Sequence, residues 1–307
     1  LFSAIIIFNS TIQPMSNSTA SEQTIKPITP ALYVVATPIG NLQDITLRAI
    51  EILKQVDFIA AEDTRHSAPL LAHFGITKQC LAVHEHNEQK AAQTLLQKIQ
   101  QGQSVALITD AGTPAISDPG AVVVDVLLNA GVRVVPIPGA SAVTAAMSVA
   151  GMAGSGYQFY GFLPASSKQR KAVLQQYAHL PHSIVFYEAP HRILACIQDS
   201  LDVLGAEREM LIARELTKQF ETIYRAPLAE ILRIMQEDSN QLRGEFVLVL
   251  SPQLKQPEES DASAWQSALQ VLMAELPLKQ AVKLCAEITG AKKNLVYDFA
   301  LKMKQDD

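Results

Sequence analysis

Ser104-Val105-Ala106-Leu107-Ile108-Thr109 runs into Asp110-Ala111-Gly112-Thr113-Pro114-Ala115-Ile116-Ser117-Asp118-Pro119-Gly120, and then into the apolar stretch from Ala121 to Ala130. The first six residues are an unbroken apolar, β-prone run, as in a strand buried on both faces. The next eleven are turn formers, rich in Gly, Pro, Asp and Ser. The third stretch reads as a helix closed by Gly131. Strand, small-residue loop and helix form the repeating unit of a parallel α/β sheet.

The unit recurs on both sides. Strands are predicted at Leu32–Ala36, Asp57–Ala61, Leu81–His84 and Val132–Pro136. Helices are predicted around Leu47–Val56, over Ser67–Phe74, over Glu88–Gln101 and over Ser141–Ala150. Together they make a first α/β domain over 31–150 with a mainly parallel sheet covered on both faces. Gly151, Gly154 and Gly156 then mark a boundary. The alternation resumes with strands at Gln158–Leu163, Ser183–Tyr187, Met210–Arg214, Phe220–Tyr224 and Glu245–Leu250. Helices at Ser167–Ala178, Arg192–Leu204 and Leu228–Glu237 complete a second α/β domain over 151–252. Ser251–Ser263, with Pro252 and Pro257, has linker composition. Helices at Ala264–Glu275, Leu278–Thr289 and Lys293–Lys304 suit a small helix-turn-helix-like domain over 264–307.

Composition agrees. Of 307 residues, 48% are hydrophobic and 18% charged, which suits packed cores rather than disorder. A net charge of −5 excludes a generally basic surface but leaves room for a local basic patch on nucleic acid. Cys80, Cys196 and Cys285 are far apart, without metal spacing, and predict neither a disulfide framework nor a metal site. Residues 1–30 read as a flexible tail, with Met15 a candidate start. The apolar run Ala4–Phe8 is too short to span a bilayer and lacks a preceding positive charge, so the expectation is a cytoplasmic chain with no membrane partner.

Several site motifs are missing from the sequence: a Walker loop, a Gly-x-Gly-x-x-Gly after the first strand, a His-Glu-x-x-His and a Gly-x-Ser-x-Gly. In their place stand three loops at strand ends: Thr37-Pro38-Ile39-Gly40-Asn41-Leu42, Asp110 to Gly120, and Pro136-Ile137-Pro138-Gly139-Ala140-Ser141-Ala142. Small residues let a ligand approach the backbone, and the carboxyl edge of a parallel sheet is where ligands bind. Taken singly, each loop reads as an ordinary β-α turn; three on one edge point to a pocket. Charge collects at three further strand ends: Glu62-Asp63-Thr64-Arg65, Glu188-Ala189-Pro190-His191-Arg192 and Arg214-Glu215-Leu216-Thr217-Lys218.

These loops, with Ala213 to Phe220 and Gly244-Glu245-Phe246, resemble the tetrapyrrole methylase superfamily, and within it the branch that methylates ribosomal RNA. The likeness spans roughly Leu32 to Pro252, and the C-terminal helices resemble that branch's appended helical domain. It implies two consecutive α/β domains with S-adenosylmethionine in a cleft between them, commonly as a homodimer. The implied reaction is 2′-O-methylation of a cytidine in the decoding region of small-subunit (16S) ribosomal RNA, on the small subunit or a late precursor. By motif, the cofactor contacts are Gly40, Leu42, Gly112, Thr113, Ile116, Ser141 and Ala142, with Tyr187, Leu216 and Glu245 from the second domain. Many relatives carry Gly-Asp-Pro in the second loop. This chain has Gly112-Thr113-Pro114 with the acid displaced to Asp110, as in the ribosomal RNA branch.

A ribose hydroxyl needs its proton removed to attack a sulfonium methyl, so a positioned base is expected. Glu62, Asp63, Glu188 and His191 are the candidates, unranked; a purely packing or capping role for His191 is equally compatible with its position. Arg65, Arg192, Arg214 and Lys218 are candidates for holding phosphates or the attacking oxygen. From Ala264 to Lys304, six lysines face only Glu275, Glu287 and Asp298, so this segment is expected to dock on RNA. Two other readings stay open: a methyltransferase of a small molecule such as a tetrapyrrole, and a non-catalytic, ligand-sensing nucleic-acid-binding regulator.

Overall fold

The structure, a computed structural model, describes residues 28–152, 156–253 and 262–305. Most of the predicted N-terminal tail, Gly154 of the glycine-rich boundary and the centre of the linker lie outside the described residues.

The first sheet joins β1 (Leu32–Val35), β2 (Phe58–Ala61), β3 (Gln79–Ala82), β4 (Val105–Ile108) and β5 (Val134–Ile137) in the order β3-β2-β4-β1-β5. Every pairing is parallel. Alternate residues enter opposite faces. Tyr33, Val35, Ile59, Ala106 and Ile108 pack with Ala49, Ile52 and Leu53 of α1 (Leu47–Gln55) and Leu71 of α2 (Thr64–His73). Leu32, Ala60, Val105 and Leu107 pack with Ala92, Leu95 and Ile99 of α3 (Glu88–Gln100) and Val123 and Leu127 of α4 (Ala121–Asn129). Because all five strands run one way, all their following loops leave the same edge.

The second sheet joins β6 (Tyr157–Phe162), β7 (Ser183–Glu188), β8 (Glu209–Arg214), β9 (Thr222–Pro227) and β10 (Phe246–Leu250) in the order β6-β7-β10-β8-β9. Here β6 and β7 are parallel and the other three pairings are antiparallel. No helix separates β8 from β9, so they close as a hairpin. One face buries Ile184, Phe186, Ile212 and Leu248 under α7 (Ile193–Leu204) and α8 (Leu228–Glu237); Leu174 of α6 (Ser167–Tyr177) joins this core. The other face buries Val185, Leu211, Val247 and Val249 against Val143, Ala146 and Ala150 of α5 (Ala142–Ala150). Ile39 packs into the same cluster. The segment Pro38–Asp44 belongs to this second compact unit, as does the chain from Ala140 onward.

The last three helices, α9 (Ala262–Glu275), α10 (Leu278–Thr289) and α11 (Lys293–Gln305), have a core of their own around Trp265, Leu269, Val282, Cys285, Val296 and Ala300. The Trp265 and Phe299 rings meet edge to face at 5.3 Å.

Several element boundaries differ from the sequence expectation by one to three residues, and three of them have a visible local cause. α2 starts at Thr64 rather than Ser67, because the Asp63 side chain caps it by accepting the Arg65 N–H. β3 lies at Gln79–Ala82 rather than Leu81–His84; parallel pairing opposite Phe58–Ala61 overrides the run's apolarity. β9 starts at Thr222 rather than Phe220, because Phe220 and Glu221 belong to the turn from β8.

Candidate active-site edges

In the first unit, the end of β1 and the second loop are stitched together. The Thr37 N–H donates to Gly112 O at 2.8 Å, and the Gly112 N–H donates back to Thr37 O at 3.1 Å. The buried Thr37 hydroxyl donates to Thr109 O at 3.1 Å. Gly112 takes φ +83°, where a side chain is disfavoured. Further along, Gly120 opens α4 at φ +134°. There the Glu88 carboxylate, from the first turn of α3, accepts the N–H groups of Gly120 (2.6 Å) and Val122 (3.2 Å) and satisfies the helix start. The third loop is equally tight: a Cβ on Gly139 would lie 2.9 Å from the Ala36 Cβ.

Four carboxylates surround this loop system. Glu62 Oε2 accepts the Thr109 hydroxyl at 2.6 Å and the Asp110 N–H at 3.4 Å. Asp110 Oδ1 accepts the Asp63 N–H at 3.3 Å. Asp63 pairs with Arg65 at 2.8 Å, and the Arg65 side chain is almost wholly exposed. The hydrogen bonds from Arg65 hold the Asp63 carboxyl down to about 2. Burial, with the Glu62 charge behind it, pushes Asp118 up to about 6; burial also raises Asp110. Leu42 and Ile116 are exposed apolar side chains in the first and second loops.

In the second unit, the antiparallel run of β10 gathers the charged segments. Phe246, at its start, lies opposite Glu188 on one side and Arg214 on the other. The Glu188 side chain is wholly buried. Its Oε1 accepts the Ala189 N–H at 2.8 Å and sits 3.0 Å from Arg192 Nε. Arg192 also donates to Leu163 O. Beneath lies Cys196, whose thiol is pushed up by burial and by the Glu188 charge and is therefore held neutral. His191 is exposed.

Lys218 Nζ bridges Glu215 Oε1 and Glu245 Oε2, each at 2.9 Å. Partial burial opposes its charge, but the hydrogen bonds to Glu215 and Glu245 outweigh that and raise its pKa above the ordinary lysine value. The Glu245 N–H donates to Glu215 Oε1 at 2.9 Å, and Glu215 and Thr217 both take left-handed backbone angles, φ +52° and +65°. Two glycines make room: a Cβ on Gly244 would meet Glu215 Cγ at 2.5 Å, and one on Gly40 would collide with Lys218 Cγ. Arg214 braces the same turn, donating to Arg243 O at 2.6 Å and Phe220 O at 3.3 Å. Leu216 is buried beside α5, Ser141 caps that helix by accepting the Thr144 N–H at 3.4 Å, and Ala142 and Tyr187 pack on the same cluster.

Thus the structure brings together Glu62, Asp63, Arg65, Asp110, Gly112, Thr113 and Ile116 in one unit. In the other it gathers Gly40, Leu42, Glu188, His191, Arg192, Arg214, Leu216, Lys218 and Glu245. Sequence reasoning quoted Thr109, Asp118, Glu215 and Gly244 within its segments but gave them no individual role. Thr109 and Asp118 stood inside or beside a quoted loop; the signal was there, but hydroxyl-to-carboxylate pairing over 47 positions in sequence is not visible in a linear pattern.

The profile of the family described as Tetrapyrrole (Corrin/Porphyrin) Methylases matches residues 31–232, and that of the RsmI C-terminal HTH domain matches residues 258–304. The chain is 50% identical over 273 residues to a ribosomal RNA small subunit methyltransferase I of Escherichia coli O157:H7, covering 89% of this chain and 95% of that protein. It is likewise 50% identical to the protein of that name from Pseudomonas aeruginosa, over 88% and 96%. Among solved structures, the methyltransferase CobJ aligns with a TM-score of 0.55 at 17% identity, over 72% of this chain and 94% of its own. A uroporphyrin-III C-methyltransferase from Thermus thermophilus, complexed with S-adenosyl homocysteine, aligns at 0.52 and 20% identity, over 72% and 97%. These last two likenesses establish the fold.

Proposed function

The chain belongs to the tetrapyrrole methylase family, and from that premise we propose that it transfers a methyl group from S-adenosylmethionine to the 2′-hydroxyl of a cytidine in the decoding region of small-subunit ribosomal RNA. The observation that carries this reading is half-identity, over nearly the whole of both chains, to relatives named ribosomal RNA small subunit methyltransferase I. The match of residues 258–304 to a helix-turn-helix domain supports a nucleic acid rather than a small-molecule acceptor. No helix among the described residues is long and apolar enough to cross a membrane. A cytoplasmic homodimer acting on the small subunit, or a late precursor, is part of the proposal.

The residues fit the methyl donor. Leu42 and Ile116 offer exposed apolar surface on the first and second loops, Gly112 sits at φ +83° in the second, and Gly40 and Gly139 leave no room for a Cβ in the first and third. Asp110, Thr113, Ser141, Ala142, Tyr187, Leu216 and Glu245 are the further proposed contacts. The bound sulfonium supplies an electrophilic methyl; everything else falls to the protein. Holding donor and hydroxyl in line supplies much of the rate. Glu62, Asp63, Glu188 and His191 remain the candidate bases. Glu188, wholly buried and committed to Arg192, is better suited to positioning that guanidinium than to meeting a substrate proton. Arg65, Arg192, Arg214 and Lys218 are the proposed phosphate and oxygen contacts.

The test is transfer of tritium from labelled S-adenosylmethionine to small subunits purified from cells lacking this protein, with mass spectrometric mapping of the modified nucleotide. Label on a decoding-region ribose is expected. Label on a porphyrinoid instead, or uptake of the donor without transfer, would replace this reading.

A further inference from the structure

On the same edge of the second sheet that carries Glu188, Arg192, Arg214 and Lys218, two large aromatic rings face solvent: Phe162 is 52% exposed and Phe220 is 66% exposed. Leaving a phenylalanine ring in water forgoes part of the free energy its burial would supply. Neither is a loose tail. Phe162 ends β6 opposite Tyr187, and its ring stands edge to face on that tyrosine at 5.6 Å. The Phe220 carbonyl accepts from Arg214 Nη1 at 3.3 Å and from the Thr222 hydroxyl at 3.1 Å, so the backbone is fixed while the ring projects.

We infer that Phe162 and Phe220 are stacking platforms for unpaired bases of the RNA strand that carries the target ribose. This rests on the RNA reading above and adds to it where the strand lies. Phe162 belongs to β6 and Phe220 follows β8, three places apart in the order β6-β7-β10-β8. At about 4.8 Å per strand the separation is roughly 14 Å, room for more than one nucleotide of an extended strand. Between them lie Arg192 after β7 and Arg214 ending β8, with the exposed Glu245 carboxylate before β10; Glu188, ending β7, is buried. Isolated aromatics interleaved with cations are the arrangement that binds single-stranded nucleic acid, where each base offers a π-face and the backbone a negative charge. A protein partner instead wants a contiguous apolar centre from which charge is depleted, whereas here the charged ends of β7, β10 and β8 separate the two rings. A 2′-hydroxyl inside a paired helix is poorly placed for in-line attack, so holding the neighbouring bases apart on fixed rings would serve the reaction directly.

The test uses the full-length protein and substitutes each ring in two ways. Phe162→Leu and Phe220→Leu keep apolar bulk but remove the aromatic face; Phe162→Trp and Phe220→Trp keep it. For each, KM for purified small subunits, kcat, and S-adenosylmethionine affinity by calorimetry are measured beside the wild type. A stacking role predicts that each Leu variant raises KM about tenfold, leaves donor affinity within twofold, and is rescued by the Trp variant at the same position. The indole fluorescence that Phe220→Trp adds to the wild-type signal should also be quenched by a single-stranded oligoribonucleotide of decoding-region sequence. If the wild type methylates subunits and the Leu variants match it in KM, the inference is overturned and the RNA reading stands. If the wild type methylates no RNA, both fall. A Leu variant that instead changes a dimer to a monomer in light scattering, with KM following the dimer content, would assign the rings to self-association and overturn the inference.

Discussion

The Thr109 hydroxyl donates a 2.6 Å hydrogen bond to Glu62 Oε2, joining the end of β4 to the end of β2 at the base of the second loop. Both strands are buried, and the carboxylate also takes the Asp110 N–H. Thr109→Val keeps the shape and removes the donor. Because a hydrogen bond to a charged group contributes about 1.5–3 kcal/mol, urea denaturation should show a loss of that size. Calorimetry should show weakened uptake of S-adenosylmethionine. A variant as stable as wild type would mean that Glu62 is satisfied by solvent.

Glu188 and Arg192 are unequal partners, because the carboxylate is wholly buried while the guanidinium is about one-fifth exposed. Arg192→Ala strands a buried charge and should cost about 3–5 kcal/mol. Adding Glu188→Gln should recover part of that loss. A double variant no more stable than Arg192→Ala alone would show that the pair is not coupled.

Gly244 and Gly40 should respond differently to alanine. At Gly244 the backbone is left-handed (φ +96°) and the new Cβ meets the Glu215 side chain at 2.5 Å, so Gly244→Ala should lose more than about 1 kcal/mol and deform the Glu215 turn. At Gly40 the backbone is not left-handed, but a new Cβ would collide with Lys218 Cγ and lie 3.1 Å from the Leu216 carbonyl oxygen. Gly40→Ala should therefore lower the melting temperature and displace Lys218 from Glu215 and Glu245, read also as weaker donor binding.

Asp118 should impose a pH dependence. Its folded pKa is about 6, against about 3.9 for a free aspartate, so the folded chain holds the proton more tightly. The stability this contributes is complete below about pH 4 and is lost as pH rises through 6. Asp118 is only half-buried, so solvent screening reduces the effect. Asp118→Asn should accordingly stabilise the protein by on the order of 1 kcal/mol at pH 8 and by about half as much at pH 5. Equal shifts in chemical denaturation at both pH values would refute a protonated Asp118.

The helical segment has its own core around Trp265 and Val282. Removing the chain from residue 254 should weaken binding to small subunits while S-adenosylmethionine affinity is kept. Loss of both would identify it as a structural cap rather than a docking module.

What the sequence determined by itself was periodic and local. Continuous apolar runs such as Val105–Ile108 predicted strands covered on both faces, and small residues after them predicted the loops, because backbone sterics and burial act over a few residues. The family likeness could be read for the same reason: its motifs are contiguous. Tertiary structure alone decided that β10 inserts between β7 and β8 in the opposite sense, which sets Glu188, Phe246 and Arg214 side by side. It also decided that Glu62 finds Thr109, that Lys218 is shared by Glu215 and Glu245, and that Glu188 is sealed from solvent. Those pairings join residues far apart in the chain, and a carboxylate's burial and partner depend on neighbours that only strand order brings within a few ångströms.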